Sequence, residues 1–523
     1  MKLLLMTPPS TIYGKDPTVP GITPPLGIAY IAAYLEKQGY EVELLDTVAL
    51  GGKKPTTALG DVWVRYGITD EDVIKKIEKA KPDAVGITCM YTAYAGDAHR
   101  LAKLVKDNYP EMRVIFGGAH SSTFPELVLK DKNVDLVVQG EGEQTVLEIM
   151  KRLEKKEDIL SSPGTVVRNN GSITSNPPRG YISDLDTIPF PARHLLDMER
   201  YKNATMKEGY ILRRPSTTIV TSRGCPGKCI FCTIHSVWGR KWRYRSAKSV
   251  VDEIEALVND YGIREVHWVD DSAGIKKSRV IEMCDEILRR KLDIKWATPN
   301  GIAHWTLDEQ TLDKMKEAGC YRITFGIESG NEETRKFLGK PYSLKQAERL
   351  IKYANKIGMW TICTLIFGFP YEKKDSIKDT VDFAIRSETD MALFYLLAPF
   401  PGTPVYEVFK KEGLVDYDSA LNVLGEEGTP EDFERIGRVL SGRGVRTVYF
   451  TEEQLNGFLT DAYTAFFKAR LLSYLNPLRV IRKIKSVEDF LYFYRLSSSM
   501  ILPVLRYIRQ GTFTQQMFRR AAE

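Results

Sequence analysis

Short apolar runs alternate with amphipathic stretches along most of the chain, and only a few folds accommodate such an alternation. In the first block, helical stretches such as LGIAYIAAYLEKQG separate five apolar runs. These runs are KLLLMTP (2–8), EVELLD (41–46), AVGITC (84–89), RVIFGG (113–118) and DLVVQG (135–140). Alternating strands and helices predict a parallel sheet with right-handed crossovers. We therefore predict an α/β fold that begins with a doubly wound domain, whose ligand lies at the carboxyl ends of the strands.

Taken together, the loops after the first, fourth and fifth runs, TPPS, GGAHSST and GEGEQT, are rich in glycine, hydroxyl and carboxylate groups. Glycine allows close backbone approach to a ligand, and the polar groups can bond amides or phosphate. Each loop alone fits a tight turn, but three on one edge favour a ligand site. A hairpin with Asn170-Gly171 as its turn follows over residues 164–176. A proline-punctuated connector then predicts a domain boundary near residue 185.

A second block contains six apolar runs separated by amphipathic stretches. The runs are TTIVTS (217–222), EVHWVDD (265–271), IKWATPNG (294–301), YRITFGIES (321–329), MWTICTLIFGFP (359–370) and MALFYLLAPF (391–400). Six strand–helix pairs predict a partial (β/α)6 barrel whose active face lies at the carboxyl ends of the strands. We expect a doubly wound domain over residues 1–185, the barrel over residues 186–410 and a helical region over residues 411–523.

Three of the seven cysteines crowd into a short segment directly after the first barrel strand: Cys225, Cys229 and Cys232. A structural zinc usually takes four ligands, and His235 could supply the fourth. An iron–sulfur cluster is the better account, because soft thiolates can hold three irons and leave the fourth open to a small molecule.

The other four cysteines, Cys89, Cys284, Cys320 and Cys363, are scattered singly. This spacing argues against a disulfide framework and for a reducing cytoplasm.

Hydrophobic residues make up 43% of the chain and charged residues 27%, as in folded soluble proteins. No apolar stretch is long enough to span a bilayer, and the first apolar run is too short for a secretory signal. The net charge of +6 gives no reason to expect nucleic-acid binding.

The cysteine motif resembles that of the radical S-adenosylmethionine (SAM) superfamily. CxxxCxxC with an aromatic residue before the third cysteine, after the first strand of a six-strand partial barrel, carries the resemblance over residues 215–400. It implies that the open iron of a 4Fe–4S cluster binds the amino and carboxylate groups of SAM. One electron from the reduced cluster then cleaves a carbon–sulfur bond and yields a 5'-deoxyadenosyl radical. An electron donor such as flavodoxin or ferredoxin is implied as well.

The resemblance also implies where SAM would be held. Phe231 should lie against the adenine, while FGIES and TLIFGFP should contact ribose, methionine and adenine groups. The residues implied in these two segments are Gly326, Glu328, Ser329, Phe367 and Gly368. The side chains of Asp270, Asp271 and Asn300 also end strands and could face the same cavity, although turn or cap chemistry explains them equally well.

The first block resembles the cobalamin-binding class of these enzymes, which extends the resemblance to residues 1–400. It is carried by TPP, GGAH and GEGEQT at three strand ends, followed by the connector DLDTIPFPAR. The implied cobalamin contacts are Thr7, Pro8, Gly117, Gly118, His120, Gly140 and Glu141. The DxHxxG segment of domains that ligate cobalt through histidine is absent. Asp97-Ala98-His99 imitates it, but Ala102 replaces the glycine, so we interpret His99 as a helix surface residue and expect no histidine below the cobalt.

Two further stretches mix aromatic and basic residues. HSVWGRKWRYRS (235–246) could stack on a corrin or adenine, bind a substrate anion, or cap the barrel with cation–π pairs. The segment 461–520 is expected to be helical and to pack an apolar stripe onto the barrel. The alternative is that it contacts a membrane surface or a hydrophobic, lipid-like substrate.

Three functional hypotheses follow. The first is methylation of an unactivated carbon through methylcobalamin, and the second is a radical ring closure or carbon–carbon coupling, as in porphyrin cyclases. The third is a non-catalytic cobalamin or redox sensor, which would not need a six-strand barrel. Cys320 and Cys363 are candidates for a hydrogen donor, although buried cysteines are usually core residues.

Overall fold

The computed structural model describes residues 1–13, 21–52, 54–59, 63–169, 171–204, 211–340, 342–415, 445–474 and 476–510, with side chains up to residue 498. Asn170 of the predicted hairpin turn and residues 511–520 of the predicted helical tail lie outside these ranges. The chain forms two compact units. The first contains Met1–Tyr201 and Thr233–Gly239, and the second contains Lys202–Cys232, Arg240–Val415 and the described residues from 445 onwards.

The first unit is built on a seven-stranded sheet in which the five predicted strands are parallel. The strands of this unit, three of which (β2, β4 and β5) lie outside the seven-stranded sheet, are β1 (Lys2–Thr7), β2 (Ser10–Tyr13), β3 (Glu41–Asp46), β4 (Thr57–Leu59), β5 (Trp63–Tyr66), β6 (Ala84–Thr88), β7 (Arg113–Gly117), β8 (Leu136–Val138), β9 (Thr165–Asn169) and β10 (Ser172–Ser175). The order β10-β9-β8-β7-β6-β1-β3 confirms the doubly wound prediction and places the topological switch between β1 and β6. The hairpin β9–β10 extends the sheet antiparallel to β8.

Helices cover both faces of this sheet, which explains the nearly continuous apolar sequence of its strands. Their bounds are α1 (Leu26–Glu36), α2 (Thr47–Gly51), α3 (Asp70–Ala80), α4 (Ala95–Asn108), α5 (Ala119–Thr123), α6 (Pro125–Val128), α7 (Glu143–Glu154), α8 (Met198–Ala204) and α9 (His235–Trp238). Along β1, Leu4 and Met6 enter one core, whereas Leu3 and Leu5 enter the other. The small antiparallel sheet β2-β5-β4 was not predicted.

The interpretation of His99 as a surface residue is wrong. His99 lies on α4 but is only 7% exposed, and its Nδ1 is 2.7 Å from the Asp131 carboxylate. Asp97 on the same helix is buried as well, and it accepts hydrogen bonds from the backbone and hydroxyl of Thr11 and from Arg65. The segment that imitates a cobalt-ligating motif therefore holds α4 against its neighbours.

The second unit contains the predicted partial barrel. Its strands are β11 (Ser216–Ile219), β12 (Ser222–Arg223), β13 (Arg243–Tyr244), β14 (Glu265–Trp268), β15 (Lys295–Thr298), β16 (Cys320–Glu328), β17 (Trp360–Phe367) and β18 (Met391–Leu396). The six-stranded sheet β11-β14-β15-β16-β17-β18 is parallel throughout, so the order of strands in space follows the sequence. All its carboxyl ends meet at one edge, as a barrel active site requires.

Helices pack around this sheet and continue beyond it. They are α10 (Ala247–Tyr261), α11 (Lys277–Arg289), α12 (Glu309–Glu317), α13 (Glu332–Leu338), α14 (Leu344–Lys356), α15 (Lys374–Arg386), α16 (Pro404–Lys411), α17 (Glu452–Tyr474), α18 (Pro477–Lys483) and α19 (Val487–Gln510). In α17, Leu455, Leu459 and Phe466 join the barrel core, and the Tyr463 hydroxyl donates to the Phe394 carbonyl at 3.0 Å. Cys320 and Cys363 are fully buried in the same core. None of the described helices is long and apolar enough to cross a bilayer.

A buried ion pair attaches α18 to the amino ends of β17 and β18. The Lys483 ammonium donates to Asp390 at 2.5 Å, to Asn355 at 2.7 Å and to the Met359 carbonyl at 2.6 Å. Burial lowers the pKa of Lys483 to about 8. Burial alone would raise the pKa of Asp390, but Lys483 and Arg479 outweigh it and hold this pKa below its usual range. The pair is therefore charged at neutral pH.

We expect Lys483→Met to lower the free energy of unfolding by about 3 kcal/mol, because Asp390 would keep a buried charge without its main partner. Lys485→Met is the matched control, since Lys485 is exposed on the same segment. Urea unfolding of both variants measures the difference. Equal unfolding midpoints for the two variants would contradict the anchoring role of the pair.

Candidate active site

The three clustered cysteines lie in a loop at the carboxyl edge of the barrel sheet. The chain leaves β11, passes the short strand β12 and turns at Gly224, whose φ of +84° favours glycine. Cys225, Cys229 and Cys232 are half-buried. The loop therefore presents three soft donors where a barrel of this kind places its chemistry.

The loop is folded tightly around its sulfur atoms. The Gly227 amide donates to the Cys225 sulfur at 3.4 Å, and a Cβ on Gly227 would lie 3.3 Å from that sulfur and 3.7 Å from the Cys229 sulfur. The sulfur atoms of Cys225 and Cys229 therefore both lie close to Gly227. Three thiols on one short loop could serve as ligands to three irons of a 4Fe–4S cluster and leave the fourth iron open. Among the described residues, no three His, Cys, Asp or Glu side chains, His235 included, are gathered to hold a metal ion.

Asp270 braces the start of this loop from the next strand of the sheet. It follows β14, is 1% exposed, and accepts hydrogen bonds from the Thr221 amide at 2.6 Å and from the hydroxyls of Thr221 and Ser222 at 2.5 and 2.6 Å. Its neighbour Asp271 is exposed. Asn300 after β15 donates to the Val269 carbonyl at 2.9 Å. The three predicted side chains therefore share this edge.

An ion pair between Glu328 and Lys340 lies beside the cysteine loop. Their charged atoms are 3.0 Å apart, and each side chain is 11% exposed. Burial alone would lower the pKa of Lys340, but Glu328 raises it above its usual range. Burial also raises the pKa of Cys229, Lys340 opposes that shift and Glu328 adds to it. Both charges therefore act on the cysteine loop. No motif in the sequence predicts this position for Lys340.

The backbone at the end of β16 is held in an unusual shape. Glu328 has a φ of +61°, and the Tyr342 hydroxyl donates to the carbonyls of Gly326 and Ile327 at 2.7 and 2.5 Å. A Cβ on Gly326 would lie 3.0 Å from the Glu328 carboxylate and 3.8 Å from the Lys340 nitrogen. Glycine therefore keeps the space beside the ion pair open.

The remaining predicted SAM contacts occupy the same edge with different exposure. Phe231 packs partly buried against the barrel core, and Phe367 is fully buried and stacked on Phe394. Ser329 is fully buried, with its hydroxyl 3.1 Å from that of Thr380.

Gly368 follows β17 at a φ of +89°, and its amide donates to Glu372 at 2.7 Å. Burial raises the pKa of Glu372 to about 8. This buried carboxyl group, which the sequence analysis missed, fixes the turn after β17.

The aromatic and basic stretch after the cysteines packs in part on the barrel. Trp242 stacks on Tyr244 with ring centroids 4.7 Å apart, and its indole donates to the Ser272 carbonyl at 3.0 Å. The Arg279 guanidinium lies 5.4 Å from the Tyr244 ring. For these residues the structure supports the barrel-capping interpretation.

In the first unit, the predicted cobalamin residues lie at the carboxyl ends of β1, β7 and β8, where Pro8 and Gly117 are half-buried. The Thr7 hydroxyl donates to Asp46 at 3.0 Å, and Glu141 accepts from the Ile182 amide at 2.7 Å. A Cβ on Gly118 would lie 2.7 Å from the Cys89 carbonyl oxygen, so only glycine fits there. Gly140 has a φ of +68°, and its amide donates to the Ser122 hydroxyl.

His120 is buried behind this edge. Its Nδ1 lies 3.1 Å from the Thr92 hydroxyl, and burial lowers its pKa to about 3, so the ring is neutral. Its Nε2 and the Ser121 hydroxyl have no hydrogen-bond partner among the described residues. Met90 and Tyr91 follow β6 at the topological switch and are 50% and 64% exposed. Apolar surface beside buried polar groups fits a flat, amphipathic ligand such as a corrin.

Two family models match this chain, one in each unit. Residues 17–150 match the family model "B12 binding domain", and residues 219–384 match "Radical SAM superfamily". Cytidylyl-2-hydroxyethylphosphonate methyltransferase of Streptomyces wedmorensis is 35% identical over 452 residues, which cover 80% of this chain and 84% of the relative. An uncharacterized methyltransferase of Pyrococcus horikoshii is 32% identical over 493 residues, which cover 94% of this chain and 96% of the relative.

The fold is also that of a solved structure. The cobalamin-dependent SAM radical enzyme OxsB, with aqua-cobalamin and SAM bound, superposes with a TM-score of 0.66 at 17% identity. The alignment covers 100% of this chain and 78% of OxsB. A 4Fe–4S cluster, SAM and cobalamin are the cofactors typical of such proteins. The chain is a radical SAM enzyme similar to methyltransferases, and it belongs to the cobalamin-dependent radical SAM family.

Proposed function

We propose that this enzyme methylates an unactivated carbon of a small-molecule substrate. The observation that carries the proposal is the resemblance, over four-fifths of the chain or more, to two proteins that are both named methyltransferases. When bound, the cluster and SAM supply a hydrogen-abstracting radical, and cobalamin supplies the methyl group. Ring closure, the alternative from the sequence, would need the same radical but no methyl donor.

We assign the iron ligands to Cys225, Cys229 and Cys232. Three thiolates on one short loop leave one iron of a 4Fe–4S cluster without a protein ligand, as SAM binding requires. Asp270 acts on this loop as a positioning residue, because all three of its hydrogen bonds go to Thr221 and Ser222. We retain Asn300 as a proposed SAM contact beside it.

The charged pair beside the loop suits the amino-acid end of SAM. A methionine group carries one ammonium and one carboxylate, and Lys340 and Glu328 offer the complementary charges 3.0 Å apart. We propose that Lys340 binds the carboxylate and that Glu328 binds the ammonium or a ribose hydroxyl. Phe231, Gly326, Ser329 and Gly368 complete the proposed site around ribose and adenine.

We propose that cobalamin binds at the carboxyl edge of the first unit, on the loops that contain Thr7, Gly117, Gly118 and Gly140. The exposed side chains of Met90 and Tyr91 add apolar surface to this edge. Radical SAM enzymes need a reductant. We propose a small electron-transfer protein such as flavodoxin or ferredoxin for this role.

Anaerobic reconstitution with iron, sulfide and cobalamin should give about four irons per chain and a bound corrinoid. With SAM that carries a deuterated methyl group, a substrate screen should yield a product that contains the label. The screen should include cytidylylated phosphonates, after the name of the Streptomyces relative, and lipid-like compounds. Cys225→Ala, Cys229→Ala and Cys232→Ala should lose the cluster and all SAM cleavage, whereas Cys284→Ala, which changes a buried core cysteine, should keep both. A ring-closed product without label would overturn methyl transfer and leave the cofactor assignment standing.

Asp270→Asn should loosen the cysteine loop, because a neutral amide replaces a charged acceptor of three hydrogen bonds. We expect iron to be lost to a chelator about tenfold faster than in the wild type. Asp271→Asn is the control, because Asp271 is the accessible neighbour. Equal rates of iron loss in the two variants would exclude a positioning role for Asp270.

Lys340→Met should weaken SAM binding about tenfold or more, through loss of a charged partner for the carboxylate. Equilibrium dialysis of the reconstituted protein measures this affinity without turnover. Lys336→Met, which changes an exposed lysine on α13, should bind SAM like the wild type. Unchanged SAM affinity in Lys340→Met with full iron content would reject the assignment.

A further inference from the structure

The helix α19 presents an apolar stripe to solvent. Val487, Phe490, Leu491 and Tyr494 are spaced as i, i+3, i+4 and i+7, which places them on one face of the helix. They are 75%, 55%, 49% and 64% exposed. An amphipathic helix normally turns such a stripe toward the core, but among the residues that the structure describes this face has no apolar partner that covers it.

The opposite face of α19 is the one that packs against the core. Tyr492 and Leu496 are 0% and 3% exposed and pack with Trp360 and Leu212. The helix is therefore anchored on one side and apolar on the other. Exposure of the second stripe does not result from a detached helix.

The apolar surface continues onto the preceding helix. Leu478 and Ile481 on α18 are 60% and 64% exposed, while Lys483 of the same helix turns inward to its buried ion pair. Tyr474 at the end of α17 packs on Phe493 of α19, with ring centroids 5.7 Å apart, so the three helices are held together. We define the α18–α19 apolar surface as Leu478, Ile481, Val487, Phe490, Leu491 and Tyr494.

Two exposed cations border this surface. Arg482 lies on α18 and Lys485 just after it, and neither forms an ion pair with a residue that the structure describes. Of the two acidic residues at the start of α19, Glu488 pairs with Arg213 and Arg264, whereas Asp489 accepts hydrogen bonds from the Ser486 hydroxyl and the Lys485 amide. A partner surface that suits these side chains has an apolar interior, which contacts the exposed apolar residues, and anionic groups at its boundary, which contact the cations.

We propose that the α18–α19 apolar surface docks on the headgroup region of an anionic lipid bilayer. Apolar side chains of a surface-lying helix insert at the boundary between headgroups and acyl chains, and nearby lysine and arginine are attracted to anionic headgroups. A tyrosine such as Tyr494 suits that boundary because its ring is apolar and its hydroxyl is polar. A second copy of the chain is a poorer occupant, because a two-fold contact would bring the same unpaired cations together.

Flotation of the full-length, reconstituted enzyme with lipid vesicles tests the proposal. We expect binding to vesicles of phosphatidylcholine mixed equally with phosphatidylglycerol, and binding at least about tenfold weaker to phosphatidylcholine alone. The double variant Ile481→Ser/Phe490→Ser should lose binding because it removes inserted apolar surface. The double variant Arg482→Glu/Lys485→Glu should weaken binding to the anionic vesicles by at least about tenfold.

Two matched controls distinguish docking through this surface from nonspecific binding of the protein to vesicles. Tyr449→Ser changes an aromatic residue that is 51% exposed elsewhere in the second unit. Lys76→Glu/Lys79→Glu reverses two exposed charges on α3. Both should bind vesicles like the wild type. Absence of wild-type binding, equal binding by all variants, or a dimer in solution that Ile481→Ser/Phe490→Ser dissociates would each overturn the proposal.

Discussion

Parallel pairing of strands is the constraint on which both sites depend. Because the strands of each sheet run in one direction, their carboxyl ends meet at one edge, and side chains far apart in sequence become neighbours. In the barrel sheet this brings the cysteine loop after β11 together with Asp270 after β14 and Glu328 on β16. The hydrogen bonds that Asp270 accepts from Thr221 and Ser222 are a direct product of this arrangement.

The amino ends of the same strands carry buried polar networks of a different kind. Glu265 accepts hydrogen bonds from the Leu212 and Arg213 amides and from the Tyr321 hydroxyl, while Asp390 holds Lys483. Buried charges are tolerated only where partners satisfy them, so these networks specify where the flanking segments attach. The helices α18 and α19 thus attach at the amino edge of the sheet, whereas the cysteine loop lies at the carboxyl edge.

The sequence was sufficient to predict the parallel strands, because strands buried on both faces are nearly continuous apolar runs. KLLLMTP was predicted over residues 2–8 and forms β1 over Lys2–Thr7, whose four central residues are buried. Tertiary partners could not be predicted from the sequence. The helical pattern around His99 does not indicate that Asp131, which follows α6, packs on it. Lys340 was missed for a similar reason, since nothing in its own segment indicates that Glu328 lies 3.0 Å away. The small sheet of β2, β4 and β5 consists of strands of three or four residues, too short for a periodic signal.

The α18–α19 apolar surface lies on helices that attach at the amino edge of the barrel sheet, away from the edge that carries the cysteine loop. Lys483 on α18 contacts Met359 and Asp390, which directly precede β17 and β18, and Tyr492 on α19 packs on Tyr321 at the start of β16. Both helices are therefore attached at the amino edge. A bilayer that contacts their outer faces would approach the barrel from the side of the sheet that holds no cysteine ligand. Docking there would leave the carboxyl edge accessible to SAM, an electron donor and a substrate, so membrane contact and catalysis need not compete for the same surface.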